Sequence, residues 1–286
     1  MNVLSLFDGI SCGQIALNRV GIKIDNYYAS EIDKDAITVT QFNYPNTIQL
    51  GDVKKLKGNM LPKIDLLIGG SPCQDLSKAK TEGKGLVGEK SSLFYEYLRL
   101  LNEVKPKYFL LENVIMKKDY RDIITKELGV NPILINSNLV SAQNRERLYW
   151  TNIPNITIPK DKNILLKDII KDDHNWKQLG KWVYSKWGNQ SKLDKLKLIN
   201  TNKSSTLTTS KTHPANYYLN ENKTLYCNLD ADEWELLQTL PQGYTKMLSE
   251  SKRHKVIGNC WTVDVIVHIL KGLKYELINE FLINKF

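Results

Sequence analysis

Short apolar runs recur through the first half of the chain, each closed by Gly, Pro or an acidic residue and each followed by a stretch with helical spacing. Val3-Leu4-Ser5-Leu6-Phe7 predicts a first strand, and Gln14 to Val20 a helix stopped by Gly21. Tyr27-Tyr28-Ala29-Ser30 predicts a second strand, followed by a helix over Lys34 to Phe42 that stops near Pro45. Thr47 to Leu50 and Ile64 to Ile68 read as the third and fourth strands. Leu93, Phe94, Tyr97, Leu98 and Leu101 fall on one face of a helix over Leu93 to Val104, which Pro106 ends. Tyr108 to Leu111 gives the fifth strand. The helix around Arg121 to Leu128 stops at Gly129, and strands six and seven follow at Pro132 to Asn136 and Arg147 to Trp150. Strands alternating with helices predict an α/β fold, a mostly parallel seven-stranded sheet covered by helices on both faces.

From about Ile153 to His254 the pattern breaks down into short irregular segments rich in Asn, Lys, Thr and Trp, with one helix from Ala231 to Leu240. Trp261 to Leu270 then returns to an apolar helix. The expected organisation is a larger domain over 1–155 and 259–286, with a small second domain, 156–258, inserted. The 286 residues suffice for that, and 42% hydrophobic with 25% charged residues is ordinary for a globular protein. No internal repeat is visible, no apolar run looks long enough to span a membrane, and no basic-then-apolar leader precedes Val3. Cys12, Cys73, Cys227 and Cys260 form no Cys-x-x-Cys pair and have no close His partner, so neither zinc nor a disulfide framework is expected. A net charge of +9 suits a polyanionic partner, but Lys outnumbers Arg 34 to 6, a skew that AT-rich codon usage also produces. Both readings stay open.

Chemistry concentrates where the strands end. Gly69-Gly70-Ser71-Pro72-Cys73-Gln74 follows the fourth strand and holds a thiol on a rigid turn, at the sheet edge where open α/β folds place ligands. The fifth strand ends in Glu112-Asn113-Val114. If the two strands are neighbours, a thiol and a carboxyl group share one edge of one cleft. Asp8-Gly9 follows strand one, Glu31 ends strand two 22 residues after Gly9, and Asp52 follows strand three. An acid about 20 residues beyond a glycine turn is where nucleotide-binding βαβ units read a ribose hydroxyl. The diphosphate-type Gly-x-Gly-x-x-Gly is missing, which favours S-adenosylmethionine over NAD.

The motifs Ser71-Pro72-Cys73-Gln74 and Glu112-Asn113-Val114 resemble those of the DNA (cytosine-5) methyltransferases. Phe7-Asp8-Gly9-Ile10-Ser11-Cys12-Gly13, Gln143-Asn144-Arg145-Glu146-Arg147 and Gly258-Asn259 follow in that family's order, over residues 3 to about 270. Within the family, the wording of the motifs is similar to the de novo enzymes of animals. The resemblance implies a Rossmann-like catalytic domain, a small target-recognition domain, and methyl transfer from S-adenosylmethionine to carbon 5 of a flipped-out cytosine in double-stranded DNA. It implies Cys73 as nucleophile, with Glu112, Arg145 and Arg147 around the ring; spacing of two predicts both arginines on one strand face. Cofactor contacts are expected from Phe7, Asp8, Gly9, Ile10, Glu31, Ile32, Asp52, Val53, Asn259 and Trp261, and substrate contacts from Pro72, Gln74, Ser77, Asn113, Thr208 and Lys211. No metal is expected. The implied setting is intracellular, in a prokaryotic or phage-like host, as in restriction-modification. Neither a homo-oligomer nor a companion subunit can be read from the sequence.

Two segments keep two readings. Gln74 to Lys90, with three glycines and four lysines, suits a loop closing over the base or a plain surface loop. The hydroxyl-rich run Ser204 to Pro214, with Lys211 and His213, suits target recognition or a connecting loop. The cofactor loop departs from the family in carrying Ser11-Cys12 where glycine is common, and Asp264 stands where proline is common. Alternative functions are the same chemistry on tRNA, a catalytically inactive nucleic-acid-binding regulator and, more distantly, a Rossmann oxidoreductase.

Overall fold

The computed structural model describes residues 1–72, 93–171, 177–178, 197–198, 203–209, 217–219 and 225–283. Its contacts divide the chain into two units, one comprising 1–135, 146–158 and 265–286, the other 136–145 and 159–264.

The first unit is built on the seven expected strands: β1 (Asn2–Leu6), β2 (Asn26–Ser30), β3 (Ile48–Gln49), β4 (Leu66–Gly70), β5 (Tyr108–Val114), β6 (Ile133–Asn136) and β7 (Glu146–Thr151). They lie in the order β3-β2-β1-β4-β5-β7-β6, with β7 antiparallel to β5 and the pairings from β3 to β5 parallel. A parallel sheet covered on both faces reads as continuous apolar sequence, and Val3, Leu4, Leu6, Leu66, Leu67, Ile68, Leu110 and Leu111 are all fully buried. Helices α1 (Cys12–Val20), α2 (Lys34–Asn43), α3 (Leu93–Val104) and α4 (Lys118–Leu128) connect the strands. Asp33 caps α2 by accepting the Asp35 N–H, while Gly21 and Gly129 end α1 and α4 in the left-handed conformation. Phe94 and Tyr97 of α3 enter a core cluster with Leu4, Leu67, Phe109 and Trp150, and the Trp150 indole donates to Thr125 Oγ1 at 3.0 Å.

The second unit is more regular than its sequence suggests. Strands β8 (Lys177–Gln178), β9 (Lys197–Leu198), β10 (Tyr217–Leu219) and β11 (Leu225–Asn228) form a sheet in the order β8-β11-β10-β9. Strands of two to four residues are too short to display an alternation, so the segment reads as irregular. Helix α5 (Ala231–Leu237) opens on a reciprocal cap between Asp230 and Glu233 and stops three residues before the expected end, ahead of Pro241. Helix α6 (Glu250–Asn259) has no counterpart in the sequence reading. Its buried residues His254, Val256, Ile257 and Gly258 crowd one end instead of recurring along a face, so it shows little helical periodicity. Residues 136–145 and 259–264, expected with the large sheet, group with this unit. The physical reason is a knot of buried hydrogen bonds, in which the Gln143 side chain meets Leu237 O and Gln238 and the Gln238 amide reaches Ile257 O and Cys260 O.

Helix α7 (Val263–Ile283) extends well past the expected Leu270. With α6 it makes an apolar helical stretch, 250–283, long enough to cross a membrane by length and composition. Two thirds of its most apolar window (67%) is buried inside the fold, as in a core helix.

Candidate active site

The fourth and fifth strands are neighbours, in parallel register with Gly70 opposite Glu112. Ser71 and Pro72 therefore leave the sheet at the same edge as Glu112 and Asn113. Asn113 ties the two strand ends together, its Nδ2 donating to Ser71 Oγ at 3.0 Å while its Oδ1 accepts the Val114 N–H. Cys73, Gln74 and Ser77 lie outside the described residues, as do Lys211 and His213.

Strand β7 runs back along β5 with Arg147 opposite Val114 and Tyr149 opposite Glu112. Glu112 and Val114 share a face, so Arg147 is the diagonal neighbour of Glu112, within reach of a long side chain. The guanidinium takes up that contact, Nε lying 2.9 Å from Glu112 Oε1 with both side chains mostly buried. Its Nη1 donates to Glu146 O at 2.8 Å. Carboxylate and guanidinium are thus held together at the end of β5, one strand from the Ser71-Pro72 turn.

Arg145 is placed differently. The strand begins at Glu146, so the two arginines do not share a strand face as their spacing predicts. Arg145 is buried in the second unit, where Nη2 donates to Cys260 O at 3.1 Å and both terminal nitrogens approach Gly258 O at 3.4 Å. It fastens the segment that carries Asn259 and Trp261. Asn259 is exposed and Trp261 half-buried, and both belong to this unit. Thr208 lies in it too, with its backbone against Gly258.

The ends of β1, β2 and β3 make a second constellation, on adjacent parallel strands. Glu31 is held by three backbone amides: Oε2 accepts Gly9 N at 2.8 Å, and Oε1 accepts Ile32 N at 2.7 Å and Asp33 N at 2.8 Å. Gly9 has φ +60° and nothing within 4 Å of the position a Cβ would take, so the backbone there is open to a ligand. Ile32 is 72% exposed, an apolar side chain at the strand end with little covering it. Asp52 caps the turn after β3 by accepting Lys54 N at 3.0 Å, and Val53 is buried behind it. Phe7 has φ 57° and packs on the core cluster, while Ile10 is fully buried.

Beneath the loop sits a network that sequence reasoning missed. Asp8 accepts a hydrogen bond from Tyr27 OH at 2.8 Å and one from Ser11 Oγ. Burial pushes its carboxyl up from 3.8 to about 6, against the opposing effect of hydrogen bonds from Ser11, Ser5 and Tyr27. Ser11 itself adopts the left-handed conformation (φ 58°), one that glycine takes at no steric cost. Gly13 is required for contact rather than conformation. An added Cβ would lie 2.3 Å from Ile68 Cδ1 and 2.8 Å from Tyr27 OH. The one available sequence signal was the pairing of Asp8 with Ser11, three residues apart in a loop.

Comparison with known proteins agrees with this geometry. The family model described as C-5 cytosine-specific DNA methylase matches residues 1–174 and 117–275. The orphan methyltransferase M.Rho11sI of Bacillus phage rho11s is 34% identical over 180 residues, 58% of this chain and 36% of that protein. The type II methyltransferase M.FnuDI of Fusobacterium nucleatum is 33% identical over 193 residues, 60% of this chain and 55% of that protein. Matches to such curated relatives span 36% to 60% of their length. Among solved structures, the Entamoeba histolytica methyltransferase EhMeth superposes with a TM-score of 0.78 at 16% identity, covering 97% of this chain and 98% of that one. The S. pombe Dnmt2 methyltransferase superposes with a TM-score of 0.73 at 19% identity, covering 98% and 99%. At these identities the structural likeness is one of fold, the Rossmann-like methyltransferase class.

Proposed function

The chain belongs to the C-5 cytosine-specific DNA methylase family, and from that membership we propose that it methylates carbon 5 of cytosine in double-stranded DNA, with S-adenosylmethionine as the methyl donor. The observation that carries the reading is the Glu112–Arg147 pair at the end of β5, beside the strand that leads into Ser71-Pro72-Cys73.

Carbon 5 of cytosine is too electron-poor to attack an electrophile unaided. In this reading the Cys73 thiolate adds to carbon 6, forming an S–C bond and turning the carbon 5–carbon 6 double bond into an enamine whose carbon 5 is nucleophilic. Glu112 holds the proton at ring nitrogen 3 that neutralises the adduct. Arg147 orients that carboxyl through Nε and offers its planar donors to the exocyclic oxygen of the ring. When bound, S-adenosylmethionine supplies the methyl group in electrophilic form. Removal of the proton from carbon 5 then re-forms the ring double bond and expels Cys73. Because the target atom is buried in a duplex, the base must be extruded, and Pro72, Gln74, Ser77 and Asn113 are its proposed surroundings.

The residues at the ends of β1 to β3 fit the donor. Gly9 leaves the backbone open, Glu31 is oriented by three amides to accept from ribose hydroxyls, exposed Ile32 offers an apolar face to adenine, and Asp52 stands beside the adenine edge. Phe7, Asp8, Ile10, Val53, Asn259 and Trp261 complete the proposed set. The unit of 1–135, 146–158 and 265–286 is the proposed catalytic part, and the other unit, including Thr208 and Lys211, the part that reads the target. The phage and bacterial relatives make an intracellular setting in a prokaryotic or phage-infected host the proposed one.

The test is covalent trapping. A duplex carrying 5-fluorocytosine, incubated with protein and S-adenosylmethionine, is expected to yield an adduct at Cys73. Cys73→Ala should abolish transfer while retaining cofactor binding. An adduct mapped to Cys12 or Cys260, both buried in the structure, would overturn the assignment.

A further inference from the structure

We propose that Arg99, in the middle of α3, is a positioning residue for the cofactor site: it sets the turn that carries Asp52 and Val53 without touching the cofactor itself. The proposal rests on the reading of that corner as the S-adenosylmethionine site. Arg99 Nη2 donates to Val53 O at 3.1 Å. The same guanidinium is held from two sides on its own helix, by Glu96 Oε2 at 2.7 and 2.9 Å and by Glu103 Oε1 at 2.8 Å. Glu96, Arg99 and Glu103 are spaced three and four residues apart, so they line one face of α3. Glu103 reaches the same segment independently, its Oε2 accepting Gly58 N at 2.6 Å. The stretch from Val53 to Gly58 is therefore clamped to α3 at both ends by one Arg–Glu pair.

Core packing holds the inner side of this segment, and the clamp holds the outer one. Val53 and Leu56 are buried, each 5% exposed, but the outer side of the segment faces a cavity of about 560 Å³ lined by Lys54, Leu56, Lys57, Asn59, Arg99 and Glu103. On that side, hydrogen bonds with Arg99 and Glu103 hold the backbone. Val53 is bonded directly to Asp52, whose carboxylate already spends Oδ1 on capping the turn. A displaced Val53 carbonyl moves that carboxylate with it. Arginine suits the task because its planar fork can serve two carboxylates and a carbonyl at once; a lysine ammonium cannot hold that geometry.

The experiment compares Arg99→Met, which keeps the apolar stem, and Arg99→Lys with the wild type, using Arg121→Met as a control on an exposed pair with Asp122. S-adenosylmethionine affinity is measured by calorimetry, and KM for the cofactor and kcat by methyl transfer to duplex DNA. Both Arg99 variants should raise Kd and KM about three- to tenfold, the loss of roughly one hydrogen bond, with kcat within about twofold, and Arg121→Met should change neither. A fall in kcat with unchanged KM would overturn the proposal, as would wild-type affinity in both variants. If Arg99→Met fails to fold, as seen by circular dichroism, the Kd of Arg99→Lys decides. Should the wild type bind the cofactor but not methylate DNA, the substrate reading fails while the Kd comparison still decides the clamp. Should it bind no S-adenosylmethionine, the proposal falls with the cofactor reading.

Discussion

Replacing Asp8 by Asn should stabilise the protein, and by an amount that grows with pH. Asp8 is enclosed by Tyr27 and Ser11, and burial raises its pKa from 3.8 to about 6. The raised value means that the folded state holds the proton more tightly than the unfolded chain. Between those two pKa values the unfolded chain binds fewer protons, so stability falls as pH rises through the window and levels off above about 6. The shift of about two pK units corresponds to about 3 kcal/mol when fully developed. Linkage then gives a cost of about 1 kcal/mol at about pH 4.5 and about 3 kcal/mol at about pH 7.5. Asn keeps an acceptor for the Tyr27 hydroxyl and carries no charge to desolvate. Urea unfolding of wild type and Asp8→Asn at the two pH values should therefore show a stability gap that widens by about 2 kcal/mol toward the higher pH. A gap of the same size at both, or one that narrows, would refute the assignment of a partly buried carboxyl with a raised pKa to this loop.

Glu112→Gln should retain cofactor affinity by calorimetry and lose about 10²- to 10⁴-fold in methyl transfer, since a proton can no longer be held at ring nitrogen 3; transfer within tenfold of wild type would remove that role. Glu31→Ala should weaken S-adenosylmethionine binding by about 1.5–3 kcal/mol, the range for a hydrogen bond to a charged group, and unchanged calorimetric affinity would take Glu31 out of the site. Gly13→Ala should destabilise the fold by about 1–3 kcal/mol through overpacking against Ile68 and Tyr27, a loss that thermal unfolding would register directly.

The large sheet was legible because each strand announces itself twice, by a continuous apolar run and by a Gly, Pro or acid at its end. The same run ends put Gly9, Glu31, Asp52 and Glu112 at or beside the ends of the sheet's strands, where open α/β folds place ligands. The four-stranded sheet of the second unit was not legible, because two-residue strands such as Lys177–Gln178 owe their existence to partners far along the chain. Helix α6 was hidden by six residues, Glu250 to Lys255, dominated by charge and with His254 alone among them buried. Arg145 was misread for a related reason. Spacing of two carries directional meaning only inside a strand, and the strand starts one residue later. The Asp8–Tyr27 contact joins two strands through side chains, and neither hydropathy nor motif spacing encodes it.

One of the crossings between the two units falls between Arg145 and Glu146. Two arginines that the sequence reads as parts of one motif therefore answer to different bodies. Removing the first would leave the carbonyls of Gly258 and Cys260 without their cation and register as loosened architecture. Removing the second would break the ion pair with Glu112 and, in the proposed mechanism, register as lost chemistry in an otherwise intact fold. A mutational scan that measures abundance and turnover separately would split the pentapeptide Gln143 to Arg147 after Arg145, and the line of that split is a point at which the polypeptide crosses from one body to the other.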